Sequence, residues 1–184
     1  MNYKLSPMIF QEFMNGRMIN KIVLNDINGE PTKNTLFEEI TGHIETYIEV
    51  YKCCGFDLVR NGESFFIRER GLKQYDENAM NAMVLLDCIY RGALSIGTNP
   101  SILRELSLGL PVDQLDKIQA IPDINLVLKS CGFQKNLLVD VKASLVNRKL
   151  AYITNTNSLV LSDAGIAFID ELHDDAYGGV ISST

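Results

Sequence analysis

Between residues 35 and 71 the apolar positions change period. Phe37, Ile40, Ile44, Tyr47, Ile48 and Tyr51 recur every three or four residues, which predicts one amphipathic helix. Thr35 and Glu38 have capping-box spacing at its start, and Gly55 supplies a tolerant residue just past its end. Two strand-like runs follow, Phe56-Asp57-Leu58-Val59-Arg60 and Glu63-Ser64-Phe65-Phe66-Ile67-Arg68, separated by Asn61-Gly62. Asn-Gly between apolar runs predicts a two-residue hairpin, because a type I′ turn needs positive φ at both central positions. With that loop Arg60 faces Glu63, Leu58 faces Phe65 and Phe56 faces Ile67. The last two pairs share the face that can lie on the helix, while Val59, Ser64, Asp57 and Phe66 take the other.

A helix with an antiparallel hairpin on its C-terminal side has the form of the second half of a winged helix. The pattern returns downstream. Leu138, Val141 and Leu145 mark the inward side of a helix over 136–149. Leu150-Ala151-Tyr152-Ile153-Thr154, a polar turn and Leu159-Val160-Leu161 then predict a second hairpin. Upstream, Pro7 precedes a short helix, Met18 to Leu24 suit a helix or a strand, and Asn28-Gly29-Glu30-Pro31 is a turn. The expected fold class is mainly α with small β-hairpins (α+β), arranged as tandem winged-helix domains. The expected divisions are an N-terminal domain over 1–73, a C-terminal domain over 74–173 and a flexible tail over 174–184.

One helix breaks the amphipathic rule. After a cap at Asp76, the run 82–90 has Asp87 as its single charge and apolar residues facing nearly every direction. Such a helix is covered on all sides. It is either a core helix or part of a subunit interface, and Met83, Leu86, Ile89 and Tyr90 are the residues that would form a dimer contact.

Composition narrows the function. The chain has 184 residues, 46% hydrophobic and 22% charged, enough for a sizeable core. No run approaches membrane-spanning length and the N-terminus has no signal-peptide form, so a cytoplasmic, nucleoid-associated location with no membrane partner is expected. The four cysteines lack C-x-x-C spacing and read as buried free thiols. A net charge of −6 is the wrong sign for a protein held on nucleic acid by overall charge. DNA contact would need local cations, for which Arg70, Lys73, Lys142 and Arg148 are the candidates. The outward face of the 136–149 helix (Asp140, Ala143, Ser144, Asn147) has no base at its centre, unlike the usual major-groove reader.

Catalytic patterns are absent: no Gly-rich phosphate loop, no H-E-x-x-H, no nucleophile elbow. His43 lies within a helix, and His173 sits among acids at a solvated helix end. Neither suggests a metal site, so no enzyme activity, cofactor or metal is expected.

Particular stretches resemble the MukE family. Leu36-Phe37-Glu38-Glu39-Ile40, the aromatic helix through Tyr47-Ile48-Glu49-Val50-Tyr51, and the strands Phe56-Asp57-Leu58-Val59-Arg60 and Ser64-Phe65-Phe66-Ile67-Arg68 are similar to its first domain. The apolar helix and the closing Asn147-Arg148-Lys149-Leu150…Leu159-Val160-Leu161-Ser162 extend the likeness over roughly 35–172. The long acidic tail of enterobacterial MukE is lacking, which makes MksE, or the related subunit of plasmid-defence condensins, the closer match. The resemblance implies a non-catalytic kite subunit. Such a subunit dimerises and binds a MukF- or MksF-like kleisin. Through the kleisin it joins an SMC-type ATPase, reaching DNA via the complex in chromosome organisation, segregation or plasmid defence. Val59, Arg60, Phe66 and Arg68 on the first hairpin are the expected partner-binding residues. A dimeric winged-helix DNA-binding transcriptional regulator is the alternative.

Overall fold

The computed structural model describes residues 1–25, 28–71, 77–133 and 136–178, and for 173–178 the backbone alone. It is α+β: helices carrying small antiparallel sheets. The N-terminal half runs α1 (Ser6–Met14), β1 (Ile19–Asn20), β2 (Ile22–Leu24), β3 (Pro31–Lys33), α2 (Thr35–Gly42), α3 (Ile44–Cys53), β4 (Phe56–Asn61) and β5 (Ser64–Glu69). β1, β5 and β4 form one sheet in that order, and β2–β3 is a separate ribbon. The C-terminal half comprises α4 (Glu77–Ser95), a 3-10 turn (Pro100–Arg104), β6 (Leu110–Pro111), α5 (Gln114–Gln119) and α6 (Pro122–Ser130). α7 (Leu137–Val141), β7 (Ala151–Ile153), β8 (Ser158–Leu161) and α8 (Asp163–Gly178) complete it. Its sheet order is β6-β8-β7, so both sheets place the last strand of the hairpin in the middle. Among the described residues no helix is long and apolar enough to cross a membrane.

Each half has its own core. Ile9, Phe13, Ile40, Tyr47, Tyr51 and Phe65 centre the first, with Phe13 edge-on to Tyr51 at 5.4 Å and Phe37 tilted on Phe65 at 4.9 Å. α4 runs through the second among Leu115, Ile118, Leu137, Leu159 and Ile169.

Local chemistry departs from the sequence expectation at three places. The expected capping box does not form: Asn34 caps α2, its side chain accepting from Leu36 N at 3.0 Å. The single helix is two, broken at His43 (φ −133°, ψ 33°) beside Gly42, a poor helix former. The first hairpin is offset, with Asn61 opposite Ser64, Arg60 opposite Phe65 and Leu58 opposite Ile67. Only Gly62 takes positive φ there (+55°), so the turn is centred on Gly62-Glu63 and needs just one left-handed residue. Each partner moves by two residues, so the expected faces survive unchanged.

The C-terminal half shows smaller differences. Leu137 rather than Leu138 is buried, and the helix widens to π spacing over Lys142–Val146. Pro111 belongs to an edge strand, where its missing N–H is tolerated. The backbone of α8 continues to Gly178, past residue 174 where the tail was expected. Residues 72–76, including the expected cap Asp76 and the division at 73, lie outside the described residues.

A polar seam joins the halves, and Asn20 is its centre. It is fully buried. Its Nδ2 donates to the Lys149 carbonyl (2.8 Å) and to the Tyr152 hydroxyl (3.1 Å), and its Oδ1 accepts from Ala164 N (2.9 Å). One amide therefore caps α8 and holds the end of the π segment and β7. Around it Met18 N donates to Arg148 O (3.0 Å), Ile22 N to Asp163 Oδ2 (3.1 Å) and Asn61 Nδ2 to Glu171 Oε1 (2.8 Å). Burial, followed by the nearby Glu63 charge, overcomes the Ile22 N–H bond and raises the Asp163 carboxyl above its ordinary value.

Two consequences are testable. Asn20→Ala leaves the buried Ala164 N–H of α8 unmet and takes one hydrogen bond each from the Lys149 carbonyl and the Tyr152 hydroxyl, so urea unfolding should show a loss of about 3 kcal/mol. The raised carboxyl has a definite sign. The native state holds the Asp163 proton more tightly than the unfolded chain, so this group's contribution to stability falls as pH rises from the ordinary carboxylate value through its folded value. Asp163→Asn keeps an acceptor for Ile22 N and removes the titration. In denaturant melts at stepped pH, its stability relative to wild type should grow with pH across that window; a flat difference would contradict the assignment.

Candidate partner-binding surfaces

The first hairpin places Val59 directly opposite Phe66 on the face turned away from α3. Both are half-buried, and among the described residues neither packs on either core. They form a small apolar pair beside α8, whose Ala167 lies near Gly62 and whose Glu171 holds Asn61. Arg68 is exposed, without an ion-pair partner among the described residues. Arg60 is differently placed. Its guanidinium lies 5.7 Å from the Phe37 and Phe65 ring centroids and 3.5 Å from Glu63, so it covers its own core.

Of the four α4 residues expected at a dimer contact, two are enclosed by the chain's own fold. Leu86 and Ile89 are each 1% exposed, enclosed by the chain's own C-terminal core. Met83 and Tyr90 sit half-buried at the margin. The run is apolar all round because α5, α6, α8 and the 3-10 turn surround it. Gly92 marks how closely: a Cβ there would meet Ile118 and sit 3.0 Å from Ile124 Cδ1.

An exposed apolar surface lies on α1 and α3. Tyr3 (87% exposed), Phe10 (51%) and Val50 line a groove with Tyr47 and Tyr51, and Met8 and Met14 are exposed elsewhere on α1. Nothing in the spacing of α1 distinguished its outward Phe10 from its inward Phe13 before the fold was known.

The cations expected at DNA do not share one element. Arg70 follows β5 and pairs with Asp57 at 3.1 Å. Lys142 is exposed at the start of the π segment, and Arg148 lies against Gly16. Lys73 lies outside the described residues.

Between the halves is a cavity of about 490 Å³. Val23, Leu24 and Asn25 form one wall, Tyr152 and Ile153 the other, and Val146 lies between. Gly29 closes one end against the Asn155 side chain. Burial pushes the Tyr152 phenol up to about 12, so it stays protonated and donates to Ile22 O at 3.2 Å. Lys149 lines the cavity in a left-handed conformation (φ 61°) and pairs with Glu12 at 2.8 Å. The one sequence signal for this region was Asn20, which with Lys21 interrupts the apolar run 18–24, and periodicity alone assigns it no role.

Among the described residues no three His, Cys, Asp or Glu side chains converge as a metal site. Cys53, Cys54 and Cys131 are exposed free thiols, while Cys88 is buried and its thiol is raised by that burial.

Comparison with known proteins gives the geometry its context. No curated protein matches the chain significantly. The sequence model of the family described as condensin complex protein MksE matches residues 4–173, nearly the whole chain. That span includes both cores and the seam, and it makes the chain a member of the MksE family of condensin complex proteins.

Proposed function

We propose that this condensin subunit is a non-catalytic accessory protein of two winged helices, dividing within 72–76, which dimerises and binds the complex's kleisin. The observation that carries the reading is the family match across 4–173. The repeated architecture supports it. Each half runs helix, short strand, helices and hairpin, with the returning strand central in its sheet. Family membership does not favour the alternative of a self-sufficient transcription regulator, and neither does a net charge of −6. The chain then acts in the cytoplasm, at the nucleoid, and meets DNA through the assembled SMC complex. Its task is chromosome organisation, segregation or plasmid defence.

Val59 and Phe66, with Arg68 beside them, form the kleisin anchor on the first hairpin. A half-buried valine–phenylalanine pair beside an exposed arginine has the composition of an interface centre. Self-association falls to the α1–α3 groove, since Leu86 and Ile89 are consumed internally.

The chain co-expressed with the kleisin of its own complex should co-elute with it, and calorimetry should measure the affinity. Phe66→Ala should weaken that affinity by about 2 kcal/mol, with circular dichroism unchanged. An unaltered affinity would remove Phe66 as an anchor. For the dimer, sedimentation at roughly tens of micromolar should give twice the chain mass. Phe10→Asp should give the single mass, and a monomeric wild type would exclude the groove as a dimer contact.

A further inference from the structure

We propose that Asn15 is a site of spontaneous covalent modification, where ring closure onto Gly16 converts the amide to a carboxylate and loosens the segment that follows it.

Asparagine before glycine is the dipeptide most open to this chemistry, because glycine has no side chain to shield its nitrogen. The Gly backbone nitrogen gives up its proton and attacks the Asn side-chain carbonyl carbon, Cγ. A new C–N bond forms, the bond from Cγ to the amide nitrogen breaks, and ammonia leaves. A five-membered succinimide remains, and water adds at either of its carbonyls. Opening one side gives aspartate. Opening the other gives isoaspartate, whose main chain runs through the side-chain methylene. Water is the only co-reactant and ammonia the only product released.

The chain holds three such dipeptides, Asn15-Gly16, Asn28-Gly29 and Asn61-Gly62, and the fold distinguishes them. Asn61 stands in β4 opposite Ser64; its carbonyl accepts from Ser64 Oγ (2.8 Å) and its Nδ2 donates to Glu171 Oε1 (2.8 Å). Asn28 is exposed, but both ends of its amide are held. Its Oδ1 accepts from Glu30 N (3.1 Å) and its Nδ2 donates to Glu30 Oε2 (2.8 Å). Asn15 is exposed just past the end of α1, and among the described residues its side chain has no hydrogen-bond partner. The Gly16 N–H donates to Phe13 O (2.9 Å), a single bond in the last turn of a helix. Helix ends open at far smaller cost than a strand ladder, so this nitrogen is released most often. The Arg148 guanidinium lies 3.8 Å from where a Gly16 Cβ would stand. A cation there favours the anionic nitrogen that attacks.

The position gives the product its effect. Two residues on, Arg17 Nε donates to Asn147 O (3.1 Å), and after it Met18 N donates to Arg148 O (3.0 Å). Isoaspartate at 15 inserts a methylene into the main chain directly ahead of these bonds, which join the two halves. The new carboxylate also meets the negative end of the α1 dipole, where an anion is unfavourable.

The test incubates the full-length chain in mildly alkaline buffer, native and in urea, and follows conversion by peptide mapping with mass spectrometry. In urea the three asparagines should convert at similar rates, since each precedes glycine. In the native chain Asn15 should convert at least about tenfold faster than Asn28 or Asn61. Hydrogen exchange on the converted fraction should show the Met18 amide losing protection. Asn15→Gln, whose ring would have six members and closes slowly, should keep that protection through the same incubation. Native conversion at Asn28 or Asn61 that equals Asn15 overturns the site, as does an Asn15 that stays intact while the urea sample converts. Conversion at Asn15 with Met18 still protected overturns the effect on the junction of the halves.

Discussion

A buried amide at Asn20 is the constraint on which the arrangement of the two halves depends. Its side chain reaches three elements of the C-terminal half, while its backbone carbonyl accepts from Asn34, the residue that caps α2. Each hydrogen bond contributes only about 1 kcal/mol net, but leaving its buried partner unmet costs about 1–3 kcal/mol. This asymmetry matters more than the gain. An apolar contact tolerates sliding, whereas displacement here would break several bonds together. The left-handed backbone at Lys149 belongs to the same device. It turns the chain from the π segment into β7 and presents a carbonyl to both Asn20 and the Ser162 hydroxyl, the latter at 2.7 Å.

Elements with strong local periodicity were legible in the sequence. Of the expected stripe Phe37, Ile40, Tyr47 and Tyr51 are buried and Ile44 is half-buried, while Ile48 is exposed because the break at His43 turns the second helix; both hairpins form, and the assignment of Phe66 and Val59 to the outer face holds although the turn is displaced. What could not be read depends on non-local partners. β1 and β6 are two residues each, too short for any period, and exist because β5 and β8 offer an edge. Asn34 outcompetes Thr35 as a cap because its Nδ2 also finds Asn20 O, a bond invisible to a local capping rule. α4 could be read as an interface or a core helix from composition alone. α5, α6 and α8 enclose it, and they come from up to nearly eighty positions away. Of the surface residues, Phe66 takes the expected outer face, and what local reading could not give is the position of Arg60. Its attraction to Phe37 and Phe65 depends on rings from two different elements.

Two separate apolar cores joined by a polar seam divide the work of stability. Each core supplies burial for its own half, and the seam adds mainly geometry. Met18 is the exception, an N-terminal residue packed on the C-terminal core. It and its neighbour are pinned to the second half, Met18 N donating to Arg148 O and the Arg17 side chain, through Nε, to Asn147 O. The run 17–22 is thus a strap laid along the second half, held by main-chain groups of Met18 and Ile22 and by the side chains of Arg17 and Asn20.

The same strap governs the cavity. β2 continues from Asn20 with one residue between them, and β7 begins two residues after Lys149. The bonds that anchor Asn20 and Lys149 thereby set the separation of the two free edges. Tyr152 adds a crossbar at one end, and the close approach of Gly29 to Asn155 sets the other. Both ends of the gap are thus fixed by polar contacts. Buried polar bonds lose more on displacement than apolar contacts do, so the spacing of β2 and β7 is held more firmly than packing alone would hold it.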